Sequence, residues 1–151
     1  MTKTVNRARE IDLGDFTSSL DWKQFEGLAI FAFNSFGFKV LRNYRMTKPK
    51  MEIDILAIRN SKAFAADCKR WKRTVGESSM GIAAGKQIER AKRILVKERL
   101  NQVVPMIITW REEAVRVLEN GVPIVPIHKL SDFILNFESS REKILVIDGT
   151  Y

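Results

Sequence analysis

Residues 52–71, EIDILAIRNSKAFAADCKRW, hold two short apolar runs, 53–58 and 63–68, split by the polar Arg59, Asn60, Ser61 and Lys62. Two such runs around a polar break read as a β-hairpin, although Asn-Ser is a weaker turn than Asn-Gly. Side chains alternate faces along a strand, so Asp67 and Lys69 share one face and Cys68 takes the other. A symmetric turn at Asn60 and Ser61 pairs Arg59 with Lys62 and Ile58 with Ala63. The same register sets Asp54 directly opposite Asp67. A one-residue bulge would spoil that pairing.

Like charges placed directly across a ladder repel, so one of the two carboxylates would stay protonated. A divalent cation between them removes the conflict, since magnesium is commonly held by one or two carboxylates plus substrate phosphate. Lys69, on the same face, then sits where it can meet a phosphate or an attacking water. The residues alone also admit a plainer reading. Asp54 and Asp67 are then strand-end aspartates facing water, and Lys69 is their salt-bridge partner. Cys68, on the opposite face, reads as a small core residue rather than a reactive thiol.

Working outward, residues 1–16 show no firm period and are a candidate flexible arm, with a single domain expected over 17–151. Ser19 or Asp21 can cap a helix, with Gln24 in the capping-box position after Asp21. Phe25, Leu28, Ala29, Ala32 and Phe36 follow at helical spacing, and Gly37 stops the helix. Residues 38–44 read as a strand and 47–50 as a turn. Beyond the hairpin, 74–81 reads as a loop and 82–99 as a helix, with Ile88, Ala91, Ile94 and Leu95 on one face. Residues 103–110 form a strongly apolar strand suited to the middle of a sheet. A short helix is expected over 112–119, stopped at Asn120-Gly121. An edge or very short strand flanked by prolines follows over 123–127, then a helix over 130–137 capped by Ser131 or Asp132, and a last strand over 143–147. The pattern describes one α/β domain with a mixed sheet, in the order αβββαβ followed by further C-terminal elements.

Composition narrows the chemistry. The chain has 151 residues, enough to bury a core of its own, and 45% of them are hydrophobic, which argues against wholesale disorder. No apolar run approaches the roughly 18 residues of a membrane span, and residues 1–15 lack a signal peptide's apolar stretch, so a cytoplasmic protein is expected. Cys68 and His128 are the single cysteine and histidine, which excludes a disulfide framework and the usual zinc clusters. Any metal must therefore rest on oxygen ligands, as magnesium or manganese does. The net charge of +8 favours polyanionic partners. Lys69, Arg70, Lys72 and Arg73 crowd around Trp71. Lys86, Arg90, Lys92, Arg93, Lys97 and Arg99 follow at helical spacings, where a solvated helix face is an equal explanation.

The stretch from Glu52 through Asp54 to Asp67-Cys68-Lys69 resembles the PD-(D/E)xK nuclease superfamily, in particular its Mrr-like restriction endonuclease branch. Archaeal Holliday junction resolvases are similar in element order and length. In the Mrr-like branch a helix with a Phe-Glu pair precedes a Gly-hydrophobic strand, matched here by Phe25-Glu26 and Gly37-Phe38. The likeness covers residues 22–71 well and runs more loosely to residue 137. The core motif is short, and its weight comes from agreement with the preceding helix.

The resemblance implies a restriction-endonuclease-like α/β fold, a central mixed sheet flanked by helices. It implies a Mg2+-dependent endodeoxyribonuclease, with Mn2+ as a substitute metal. Asp54, Asp67 and Glu26 would be metal ligands, and Lys69 would orient water and stabilise the phosphate. Arg70, Trp71, Lys72, Arg73, Lys86 and Gln87 would contact DNA, with Gln87 equally readable as an ordinary helix residue. One departure is that no Tyr stands four residues after Gln87, as the RecB-like branch would have. No base-reading helix is evident, so DNA structure or modification is the expected target rather than sequence. A homodimer would suit junction cutting, but no residue pattern sets it. The alternative is a catalytically silent nucleic-acid-binding module of nuclease fold.

Overall fold

The computed structural model describes residues 21–71, 75–111 and 113–149. The candidate arm, the Ser19 cap, Lys72 and Arg73 lie outside them. The first helix among the described residues, α1 (Trp22–Ser35), begins where sequence reasoning places it. Asp21 accepts the Gln24 N–H at 2.7 Å and the Gln24 side chain accepts the Asp21 N–H, a complete capping box. Phe25, Glu26, Ala29, Ala32 and Phe33 form its buried face, whereas Leu28 is 42% exposed. Gly37, at φ +84°, ends the helix in a left-handed conformation that favours glycine.

Three strands follow: β1 (Lys39–Thr47), β2 (Lys50–Arg59) and β3 (Lys62–Lys69). The hairpin has the expected register, Arg59 against Lys62 and Ile58 against Ala63, and Asn60 and Ser61 both turn with positive φ. Helix α2 (Glu77–Lys97) starts five residues earlier than its apolar period suggests. It then crosses to β4 (Gln102–Thr109), which runs parallel to β3 and is buried along nearly its whole length.

The helix expected over 112–119 does not form. Arg116–Val117 is instead a short strand, β5, antiparallel to β6 (Pro123–Pro126). Asn120-Gly121, which also signals a helix stop, is here the hairpin turn: Gly121 has φ +90° and Leu118 N–H donates to the Val122 carbonyl at 3.0 Å. An eight-residue helix is marginal on its own, and Val115 and Val117 suit extended backbone better. Strand β6 is fully buried and lies between β4 and β5, so it is short but interior. A 3₁₀ turn (Ile127–Lys129) leads into α3 (Leu130–Leu135), whose N-cap is Lys129 rather than Ser131 or Asp132. Helix α4 (Phe137–Ser140) follows. Strand β7 is confined to Ile147–Asp148, paired with Val103 and Gln102 of β4.

The result is a mixed sheet, mostly antiparallel, with helices on both faces. On one face Phe25, Ala29 and Phe33 of α1 pack with Leu130, Ile134 and Phe137 over Ile55, Ala57 and Phe64. On the other, Ala91, Ile94 and Leu95 of α2 cover Leu56, Ala63, Ala65 and Val103. No helix among the described residues is long and apolar enough to cross a membrane.

Candidate active site

The pleat of the sheet is broken at one position, and Asp54 occupies it. Strands β1 and β2 pair Arg42 with Ile55 and Tyr44 with Ile53, leaving Asn43 and Asp54 unpaired between them. Asn43 stands at φ +49°. Ile55 and Ala57 join the α1-side core and Leu56 the α2-side core, as alternation demands, yet Ile53 also joins the α2 side. The face thus switches at Asp54, which frees its carboxylate from the regular up-or-down placement.

That carboxylate turns toward β3. Its Oδ2 accepts the backbone N–H of Cys68 at 2.9 Å, while ladder pairing stops one step earlier, at Ile55 and Ala66. Asp67 is the next residue in register and lies close enough to hydrogen-bond the Asp54 side chain. Burial, more than any neighbour, pushes the Asp54 carboxyl up to about 7. The Cys68 N–H pulls it down, and Asp67 and then Glu26 raise it further.

Asp67 is 8% exposed and faces α2. Lys69 Nζ stands 3.2 Å from its Oδ2 and Arg90 of α2 stands 3.9 Å away. Neither approaches in hydrogen-bond geometry, so this buried oxygen keeps an unused lone pair. Gln87 supports the cluster from beneath. It is fully buried, donates from Nε2 to the Ala65 carbonyl at 2.8 Å and accepts from Arg90 at 2.9 Å. Its amide is spent inside the protein, so it positions Arg90 and has no surface to offer a nucleic acid.

Glu26 is buried on α1 and forms an ion pair with Arg42 of β1 at 2.9 Å. Its charge also acts on Asp54 and Cys68, so it borders the carboxylate pair from the α1 side. Among the described residues no three His, Cys, Asp or Glu side chains converge as a metal cage. The expected three-carboxylate set is therefore a facing pair, Asp54 and Asp67, with Glu26 near enough to act on Asp54 through its charge.

Of the residues expected to contact DNA, Arg70 is exposed and lays its guanidinium 4.4 Å from the Trp110 ring centroid. Trp110 in turn stacks on Phe25 at 5.1 Å, so Arg70 rests on a rigid aromatic base. Trp71 is partly buried against the cluster of Met80 and Ile107, which makes it chiefly a packing residue. Lys86 is exposed on α2. Arg42 escaped sequence reasoning, and Arg90 was read there only as one cation of a basic helix face. The spacing of Arg90 from Gln87, one helical turn, was the available signal for its place at the site; Arg42 carried none.

A helix-flanked mixed sheet with an Asp on one strand and an Asp-x-Lys on the next is the architecture of PD-(D/E)xK-like nucleases. The chain belongs to the nuclease-related domain family of that superfamily, whose model matches residues 22–130. No curated protein matches the chain. The crystal structure of a protein of unknown function, AF1548, aligns with a TM-score of 0.41 and 18% identity, over 56% of this chain. The chain spans only 46% of that protein's length.

Proposed function

We propose that this chain is a Mg2+-dependent endonuclease that hydrolyses DNA phosphodiester bonds at Asp54, Asp67 and Lys69. Membership of the nuclease-related family supports nuclease-related chemistry and nucleic-acid binding. The observation that carries the rest is the facing carboxylate pair. Asp54 is pushed up to about 7, and Asp67 Oδ2 is buried without a hydrogen bond. A hard divalent cation would answer both defects, and two carboxylates suit Mg2+ or Mn2+. Asp54 and Asp67 would hold the ion, and Glu26 would join by exchanging its Arg42 partner.

Bound there, the ion supplies Lewis acidity toward a phosphoryl oxygen. The chain's own residues do the remaining work. Lys69, 37% exposed, presents its ammonium at the rim of the cluster, where negative charge develops on the phosphate. Arg90, held by Gln87, adds a second positive charge against Asp67. Arg70, Lys72, Arg73 and Lys86 grip the backbone, which positions DNA without reading its sequence. The target is accordingly a DNA structure or modification, in the cytoplasm, and a homodimer would cut both strands.

One observation favours a rival. Glu26 pairs with Arg42 and Asp67 with Lys69, so much of the acidic charge is neutralised without any metal. A silent nucleic-acid-binding module of this fold would look the same. Titration of Mn2+ followed by calorimetry separates the two. The endonuclease reading expects one site per chain, lost in Asp54→Ala. Absence of binding by the folded wild type would favour the module.

A further inference from the structure

Helix α2 continues past Arg90 toward a second basic feature, and its cations do not all come from the helix. At 3.6 residues per turn, Lys86, Arg90, Arg93 and Lys97 fall within about 60° of arc, one stripe along the helix. The far end of that stripe borders an open groove of 490 Å³ between α2 and the β1–β2 turn. Lys92, Arg93 and Lys97 line it from the helix, Lys48 lines it from the turn, and Met46 and Val96 form its apolar part.

Two of the groove's cations, Arg93 and Lys97, are held in place. Arg93 donates to the Lys48 carbonyl and so ties the turn to the helix. The Lys97 ammonium sits 5.0 Å from the Tyr44 ring centroid. No carboxylate is among the residues lining the groove. Glu89 pairs with Lys92 at 3.6 Å from the helix side, and Glu98 accepts from the Tyr44 hydroxyl. Val96 is 66% exposed on the groove wall, an apolar surface with nothing over it. A solvated helix face needs neither a second element contributing a cation nor a ring beneath an ammonium.

We propose that this groove is a second anchoring site for a nucleic acid's phosphodiester backbone, remote from the Asp54–Asp67 pair and continuous with it along α2. The proposal rests on the nuclease reading for the identity of the ligand. With a 1.5 Å rise per residue, Lys97 lies roughly 10 Å along the helix from Arg90. A strand whose reacting phosphate lay at Asp67 and Lys69 would therefore place a phosphate a few nucleotides away in the groove. The groove holds the flanking backbone and sets how long a substrate must be, while contributing nothing to the bond-breaking step.

The test is binding of a 20-base-pair DNA duplex in EDTA, which prevents turnover, followed by fluorescence anisotropy between 50 and 200 mM KCl. Each phosphate contact contributes about 0.9 to the slope of log K against log salt. Lys92→Ala/Lys97→Ala is expected to reduce that slope by about two, roughly a tenfold difference in affinity lost over this salt range. Lys23→Ala/Lys143→Ala, an equal change of charge at exposed positions outside the groove, should leave the slope unchanged. The groove variant's Mg2+-dependent cleavage at saturating DNA should also match the wild type. A slope that drops no further in the groove variant than in the control overturns the groove and leaves the nuclease reading standing. A wild type that shows neither salt-sensitive binding nor cleavage overturns both.

Discussion

The backbone N–H of Cys68 donates to Asp54 Oδ2 at 2.9 Å, across the point where the β2–β3 ladder stops pairing. A side chain here takes the place of a main-chain acceptor. It does so because the pleat is interrupted at Asn43 and Asp54, and the exchange turns the Asp54 carboxylate toward Asp67. The facing carboxylate pair depends on that turn.

The amide of Asn can accept the Cys68 N–H and donate to Asp67, so Asp54→Asn keeps the hydrogen bond from Cys68, gains one to Asp67 and removes the charge repulsion. The metal-free variant is expected to be more stable than the wild type at pH 8 by about 1 kcal/mol, or roughly 2–4 °C in Tm. Thermal unfolding in EDTA checks it. A variant less stable than wild type would show that the pair is not repulsive.

The same residue sets a pH dependence. Burial holds the folded-state carboxyl up at about 7, above the ordinary range of an aspartate. The native state therefore holds a proton that the unfolded chain has released. Asp54's contribution to stability is complete below about pH 4 and is lost as pH rises through about 7. Melting curves in EDTA should fall from pH 5 to pH 8.5 more steeply for wild type than for Asp54→Asn, and added Mg2+ should restore stability chiefly at the alkaline end.

Gln87 tests the support beneath the site. Gln87→Leu conserves bulk but strands the Ala65 carbonyl and releases Arg90. A loss of about 1–3 kcal/mol is expected, from an unsatisfied buried acceptor. Urea denaturation measures it. A change within a few tenths of a kcal/mol would mean that the hydrogen bonds matter little.

Cys68 should be inert. Burial first, then the charges of Asp54, Asp67 and Glu26, hold its thiol well above the ordinary value. Thiolate is the reactive form, so modification by a disulfide reagent should be negligible in native protein and rapid in denaturant. Rapid native-state labelling would show that this end of β3 opens readily.

Much of this was legible in the residues. Alternating apolar runs around Asn60-Ser61 defined the hairpin register, and Asp21 with Gln24 defined the start of α1. The superfamily followed from Phe25-Glu26, Asp54 and Asp67-x-Lys69 together. Local patterns failed where one signal serves two structures. Asn120-Gly121 ends helices and turns hairpins, and partner strand β6 decided between them. The pairing of Glu26 with Arg42 was hidden because it joins a helix to a strand through the third dimension. Gln87 shows the same limit, since its place in the helix period gave no hint that its amide would reach the Ala65 carbonyl.

The most direct measurement is cleavage of a small panel, comprising plasmid, linear duplex, single strand and four-way junction, with Mg2+ or Mn2+ beside EDTA and the Asp54→Ala variant. Metal-dependent cutting of at least one member is expected, abolished by EDTA and by the substitution in a protein that remains folded. No cutting of any member by folded wild type, alongside salt-sensitive DNA binding that survives Asp54→Ala, would contradict the endonuclease reading and leave a binding module in its place.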